Sequence, residues 1–221
     1  DNGVALVTLA PETPGAIELT RQLTDADVVV SIGHSVCSTG EFAAARGAGA
    51  SMVTHLFNAM SAFSHRSPGP IGATLADAGI RAGIICDGIH VDPVAVRMAW
   101  RALGAAQTVL ITDAVAALGL EDATVELGGI PVTVSDRGVR TADDVLAGSN
   151  LALDQAIRNL VAFTGCTPGE AIRSATTTAA DALGLADRGR IQVGARADIT
   201  VFDRDLQVER TLIGGHTAWK S

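Results

Sequence analysis

Short apolar runs separated by Ala-rich amphipathic stretches set the rhythm of the first half of the chain. Val4–Leu9, Val28–Ile32, Ser51–Thr54, Gly83–Cys86 and Thr108–Ile111 read as strands, each bounded by turn residues or charged segments. Between them, helices are expected over Gly15–Leu23 behind Pro14, from Ser38 or Thr39 to about Arg46 with Glu41 in the first turn, near Ile71 to Asp77, and from Pro93 to about Leu103. Strand starts lie about 23 to 32 residues apart, the span of one strand plus one returning helix in a parallel βαβ unit. The strands are mostly continuous apolar runs, the pattern of a sheet covered on both faces.

Residues 118–145 break this rhythm. Val125–Leu127, Gly128-Gly129 and Ile130–Val134 predict a β-hairpin insertion, after which helices return at Asn150–Phe163, Pro168–Ala175 and Thr178–Leu183. The tail changes again: Asp198–Phe202 and Gln207–Ile213, followed by Gly214-Gly215, predict antiparallel strands. The expected organisation is an α/β body over residues 1–190 and part of a small β domain over 191–221.

Composition narrows the functional classes. With 48% hydrophobic and 18% charged residues in 221, the chain is neither disordered nor fibrous. Sixteen Lys and Arg against 24 Asp and Glu leave a net charge of −8, which argues against a nucleic-acid partner. A small anionic ligand responds to the local field and is not excluded. Cys37, Cys86 and Cys166 are far apart and form no CxxC pair, so small buried thiols in a reducing compartment are expected, not a disulfide framework. No run of 18 apolar residues marks a membrane span, and no signal peptide is recognisable, so a cytoplasmic location without a membrane partner is the expectation. The chain opens at Asp1-Asn2-Gly3 and enters an apolar run at once, which predicts that it is a portion of a longer protein.

Four polar groups stand at or just past the carboxyl ends of successive strands: His34, His55, His90 and Asp113. In a closed α/β barrel those ends share one mouth, whereas in a doubly wound sheet only the switch-point crevice binds ligand. Two strand-end imidazoles suit Zn or Fe, and an adjacent Asp can take a proton from a water whose pKa the metal lowers. Each group also has a plainer reading: a strand-end His can be a hydrogen-bonded structural residue, and Asp113 can cap the following segment. Asp87, before Gly88, carries a turn signature and is expected to be structural. In the loop after His55, the planar fork of Arg66 suits phosphate, and Asn58 and the Ala59 N–H add hydrogen-bond donors; the alternative is a surface Arg near a proline turn. No P-loop or GxGxxG pattern occurs, and Ser149 lacks a GxSxG elbow, leaving a cap to the helix beginning near Asn150 as its expected role.

Several segments, taken in order, carry a family resemblance. Thr8-Leu9-Ala10-Pro11-Glu12, Gly33-His34-Ser35, Thr54-His55-Leu56-Phe57-Asn58-Ala59-Met60, Asp87-Gly88-Ile89-His90-Val91, Thr112-Asp113-Ala114, Leu146-Ala147-Gly148-Ser149 and Gly194-Ala195-Arg196-Ala197-Asp198-Ile199 together resemble the N-acetylglucosamine-6-phosphate deacetylases over essentially the whole chain. The resemblance implies a metal-dependent hydrolase with a (β/α)8 TIM-like barrel, here lacking its first strands, and a small β-sandwich domain. The implied reaction is hydrolysis of N-acetylglucosamine 6-phosphate to glucosamine 6-phosphate and acetate, in amino-sugar catabolism. By the same resemblance His34 and His55 are metal ligands, for one or two divalent ions (Zn or Fe), and Asp113 is the catalytic base that returns its proton to the leaving amine. His90 contacts substrate and helps polarise the amide carbonyl. Asn58 and Ala59 hold the sugar phosphate, and Arg66 reaches the phosphate in the neighbouring subunit of a homodimer.

The family also uses a metal-binding Glu in an upstream HLEGP-like segment, and many members carry an earlier HxH; neither pattern exists here. Glu12 belongs to the separate TLAPE motif and is expected to be structural. The isolated segment is therefore expected to be inactive. The rival readings are another amidohydrolase acting on a cyclic amide or N-acyl substrate, and a non-catalytic sugar-phosphate-binding fragment.

Overall fold

The computed structural model describes residues 3–221. Its centre is a five-stranded sheet of β1 (Leu6–Leu9), β2 (Val29–Ile32), β3 (Met52–Val53), β4 (Arg81–Ile85) and β5 (Thr108–Ile111), all parallel and adjacent in chain order. Helices α1 (Ala16–Asp25), α2 (Thr39–Gly47), α3 (Gly69–Ala76) and α4 (Pro93–Gln107) return the chain between strands. Among the described residues the order never reverses, so they show no switch point of the doubly wound kind, and the carboxyl ends of five neighbouring strands form one continuous rim.

The sequence specifies these helices locally. Ser38 and Glu41 close a capping box on α2, and Asp92 caps α4 with Pro93 in its first turn. Gly104 adopts φ 61°, which interrupts α4 just after Leu103, where the sequence predicts the helix to end.

The expected two-faced burial is present. Consecutive residues Val30–Ile32 and Ala82–Ile85 are all buried. One face of the sheet joins the main core, where Val30, Ile32, Val53 and Ile84 meet Phe42, Val96 and Leu160. Met52, Val109 and Ala182 form a smaller cluster with Leu6, Val29 and Ile111. Each fully buried large aliphatic side chain contributes about 1.5–3 kcal/mol, so the strands are held from both sides.

The segment expected to be a hairpin is a three-stranded antiparallel meander, β6 (Thr124–Leu127), β7 (Ile130–Ser135) and β8 (Gly138–Thr141), with its own core of Ala117, Val132, Val134 and Val139. The chain then returns beside β5, where Ala114 and Ser149 form a parallel bridge. Helices α5 (Leu153–Thr164), α6 (Pro168–Ala175) and α7 (Thr177–Ala182) follow. The tail is a second three-stranded antiparallel sheet, β9 (Ile199–Phe202), β10 (Val208–Ile213) and β11 (His216–Lys220), one strand more than the sequence pattern indicates.

Candidate active site at the strand ends

His34 and His55 follow β2 and β3, and the parallel pairing of these neighbours brings the two rings together. Their Nε2 atoms lie 2.9 Å apart, with ring centroids at 4.7 Å and planes at 70°. Gly33 permits this approach, since a Cβ there would lie 2.2 Å from Thr54 Cγ2 and 2.8 Å from Thr8 Cγ2. His55 is buried while His34 is exposed, so the pair opens on one side only. Burial is the main cause that holds the His55 imidazole below its ordinary 6.5, and the nearby His34 adds to it. The charge of Asp113 acts in the opposite sense, which places that carboxylate within electrostatic reach of His55.

The backbone at this rim is strained. His34, His55 and Asp113 have φ of 48°, 27° and 52°, and Phe57 and Ala59 have 82° and 51°. Left-handed conformations are uncommon for residues with a Cβ and gather at functional sites. Neighbouring groups hold these turns in place. Glu12, from the loop after β1, accepts from the Ser35 hydroxyl and the Val36 N–H, each at 2.7 Å, so its role beside His34 is that of a clamp. These contacts lower its carboxyl pKa against the opposing effect of burial, the largest single cause.

Asp113 is fixed through its main chain. The Ser149 N–H donates to the Asp113 carbonyl at 2.8 Å, and the buried Ser149 hydroxyl donates to the Thr112 carbonyl. Ser149 therefore does not cap the following helix, which begins at Leu153 behind Ala152. The carboxylate of Asp113 caps nothing either: it is Thr112 Oγ1 that accepts from the Ala114 N–H, at 3.3 Å. Asp113 is exposed at the rim.

His90, past β4, is held by Asp87. Asp87 Oδ2 lies 2.6 Å from His90 Nδ1, and Oδ1 accepts from the N–H groups of Ile89 and His90 at 2.8 Å each. The turn role expected of Asp87 is present, and the contact to the His90 ring is additional to it.

The loop after His55 separates two kinds of residue. The Asn58 amide turns back to the carbonyls of His55 and Leu56 at 3.3 and 3.4 Å, and Ala59 is exposed beside it. Arg66 stands with His65 at the tip of a tight turn closed by paired Ser64–Ser67 hydrogen bonds at 3.1 and 3.3 Å, and is exposed. The three thiols are free and buried, as expected from the sequence, and burial pushes the Cys86 thiol up to about 12.

A metal ion of the kind the sequence suggests can be weighed against the donors. Two imidazole nitrogens 2.9 Å apart can share one ion at about 2.0–2.1 Å from each; tetrahedral ligation widens such a pair to about 3.3 Å. A ligating imidazole must be neutral, the form that burial favours at His55. The pair fits. Among the described residues, no group of three or more His, Cys, Asp or Glu side chains is placed to hold an ion, so Asp113 does not complete a three-ligand cluster.

A model of the amidohydrolase family matches residues 2–218: the chain belongs to this family. Over 219 residues it is 40% identical to the N-acetylglucosamine-6-phosphate deacetylase of Bacillus subtilis (strain 168), with 99% of this chain and 55% of that protein covered. The chain thus spans about half the length of the curated relatives it matches. The crystal structure of N-acetylglucosamine-6-phosphate deacetylase from Thermotoga maritima superposes with a TM-score of 0.95 at 37% identity, covering 100% of this chain and 61% of that one. A mutant N-acetyl-D-glucosamine-6-phosphate deacetylase from Mycobacterium smegmatis, in complex with N-acetyl-D-glucosamine-6-phosphate, gives 0.92 at 38% identity, covering 97% and 57%.

Proposed function

We propose that the protein carrying this chain hydrolyses the acetamide of N-acetylglucosamine 6-phosphate, releasing glucosamine 6-phosphate and acetate in amino-sugar catabolism. The observation that carries this reading is the meeting of His34 and His55 at adjacent strand ends, within electrostatic reach of Asp113, in a chain alike to deacetylases over its whole length. The sheet is read as part of the wall of a (β/α)8 barrel spanning residues 1–190, with 118–145 inserted and 191–221 forming part of a β-sandwich. Supporting this is the sequential, unreversed strand order.

In this reading His34 and His55 hold a divalent ion, Zn or Fe, in a site of one or two ions. When bound, the ion supplies Lewis acidity for the amide carbonyl and for water near neutral pH. Asp113 takes a proton from the attacking water and delivers it to the departing amine, so one carboxylate serves as base and then as acid. Its exposure and its lack of a capping duty leave it available for both steps. His90 hydrogen-bonds the acetamide oxygen. Asn58, the Ala59 N–H and Arg66 bind the 6-phosphate, with Arg66 of one protomer reaching the site of its partner in a homodimer. The exposed tip position of Arg66 supports that reach. A cytoplasmic location accords with the three free thiols.

Acetate release by the metal-loaded protein tests the proposal. N-acetylglucosamine 6-phosphate should turn over with kcat/KM at least about a hundredfold above the unphosphorylated sugar, the effect of losing charge-assisted phosphate bonds. Equal kcat/KM for the two sugars would favour the rival amidohydrolase, and binding without acetate release would favour the non-catalytic reading. N-acetylgalactosamine 6-phosphate, assayed in parallel, reports hexosamine preference. Asp113→Asn should lower kcat by about 10²–10⁴-fold; full retention would remove the aspartate from the reaction.

A further inference from the structure

We propose that Asp87 is a positioning residue for His90: its carboxylate fixes the imidazole with a proton on Nδ1 and commits Nε2 to the substrate. This rests on the reading above, in which His90 touches substrate. The two carboxylate oxygens of Asp87 divide the labour. An Asp-Gly turn needs one acceptor for the following N–H groups, and Asp87 Oδ1 alone accepts from both Ile89 and His90, at 2.8 Å each. Oδ2 is surplus to the turn, and it lies 2.6 Å from His90 Nδ1. Both side chains are nearly buried, at 5% exposure for His90 and 11% for Asp87, so water competes little for this contact.

An ionised carboxylate only accepts, so Nδ1 must donate. The two N–H bonds at Oδ1 prevent the carboxylate from turning away. The neutral ring then carries a lone pair on Nε2, which makes no hydrogen bond among the described residues. Such a ring accepts from a substrate N–H or O–H, and it donates to an amide carbonyl only after taking a second proton, with Asp87 as the buried counter-charge. The carboxyl of Asp87 is held below its ordinary 3.8, the bonds from His90 and Ile89 outweighing burial, the largest single cause.

Asp87→Asn makes the test, because its carbonyl can keep the two turn bonds while its amino group confronts Nδ1. The ring must then carry its proton on Nε2, and it loses the buried counter-charge that supports a second proton, so it no longer presents a charged donor to the acetamide oxygen. In the protein bearing this chain, loaded with metal, kcat should fall by about a hundredfold or more while KM changes less than about threefold. Nitrogen NMR of labelled histidine should show His90 protonated on Nδ1 in the parent and on Nε2 in the variant. In a His90→Gln background, Asp87→Asn should cause no further loss. Additive losses in the double variant, or a parent ring bare at Nδ1, would overturn the proposal. If the variant does not fold, the nitrogen signals of the parent protein still decide the ring assignment. Full activity of His90→Gln would instead remove His90 from the reaction, and the commitment of Nε2 to substrate with it. Absence of any deacetylation by the parent would sink the functional reading while leaving the ring assignment to the NMR.

Discussion

Replacing Gly33 by alanine tests whether tight strand contact builds the histidine pair. Gly33 sits between β2 and His34, and its φ lies outside the left-handed region, so alanine meets no backbone obstacle there. On conformational grounds alone the change should stabilise by about 0.4–1 kcal/mol, because the unfolded chain loses freedom. Sterics oppose this. The new methyl would lie 2.2 Å from Thr54 Cγ2 and 2.8 Å from Thr8 Cγ2, where carbon atoms normally rest about 3.5–4.0 Å apart. Both flanking segments crowd the same point: β1, with Thr8, is the edge strand and can yield only by loosening its pairing with β2, while Thr54 follows β3, which is held between β2 and β4. Overpacking of this kind costs about 1–3 kcal/mol, and the upper part of that range applies because two contacts are violated. The net expectation is destabilisation by about 1–2 kcal/mol, read as a lower midpoint in urea at unchanged slope. Thr54→Ser deletes the closer methyl, so Gly33→Ala/Thr54→Ser should be more stable than additivity allows by about 1 kcal/mol. A Gly33→Ala protein as stable as the parent, or strictly additive behaviour of the pair, would refute the reasoning.

Three further outcomes are expected. Ser149→Ala removes the hydroxyl that donates to the Thr112 carbonyl and accepts from the Leu151 N–H, and should destabilise by about 1–3 kcal/mol in chemical denaturation; no change would mean that the hydroxyl does not hold the Asp113 turn. Glu12→Ala frees the Ser35 hydroxyl and the Val36 N–H, so zinc affinity measured by calorimetry should fall about 10–100-fold; an unaltered affinity would show that the His34 turn stands without its clamp. Asp77 is held below its ordinary 3.8 chiefly by the hydrogen bond from Arg46, whose Nε lies 2.7 Å away, so the folded state binds this proton less readily than the unfolded one. That contribution is complete above 3.8 and fades as pH falls through 3.8 toward the lower folded value. It amounts to about 1 kcal/mol for this partly exposed pair, and Asp77→Asn should flatten the acid limb of a stability–pH curve by that amount. An acid limb identical to the parent's would assign the effect to other carboxylates.

The features legible in the sequence were those with a local or periodic cause. Strands buried on both faces announce themselves as unbroken apolar runs, and β5 has the bounds its composition indicates. The polar residues that end such runs stand out for the same reason, which is how His34, His55, His90 and Asp113 were singled out. β8 (Gly-Val-Arg-Thr) and β11 (His-Thr-Ala-Trp-Lys) escaped because they are short and mixed, and each is held by a neighbouring strand, not by its own pattern. The contacts that position the site escaped for another reason. Ser149 reaches Thr112 across 37 residues and Glu12 reaches Ser35 across 23, and no local signal encodes such pairings. Asp87 illustrates an intermediate case: its Asp-Gly signature correctly indicated a turn and concealed the second oxygen's use.

The left-handed backbone at His34 and Asp113 has an evolutionary corollary. Both side chains point into solvent-accessible space and bury little apolar surface, while each non-glycine residue in that conformation costs about 1–2 kcal/mol. A lineage released from the need for the chemistry would gain thermal endurance by drifting to glycine at these positions. If the two side chains serve the proposed reaction, a descendant that keeps the scaffold but abandons that reaction should lose these two residues first.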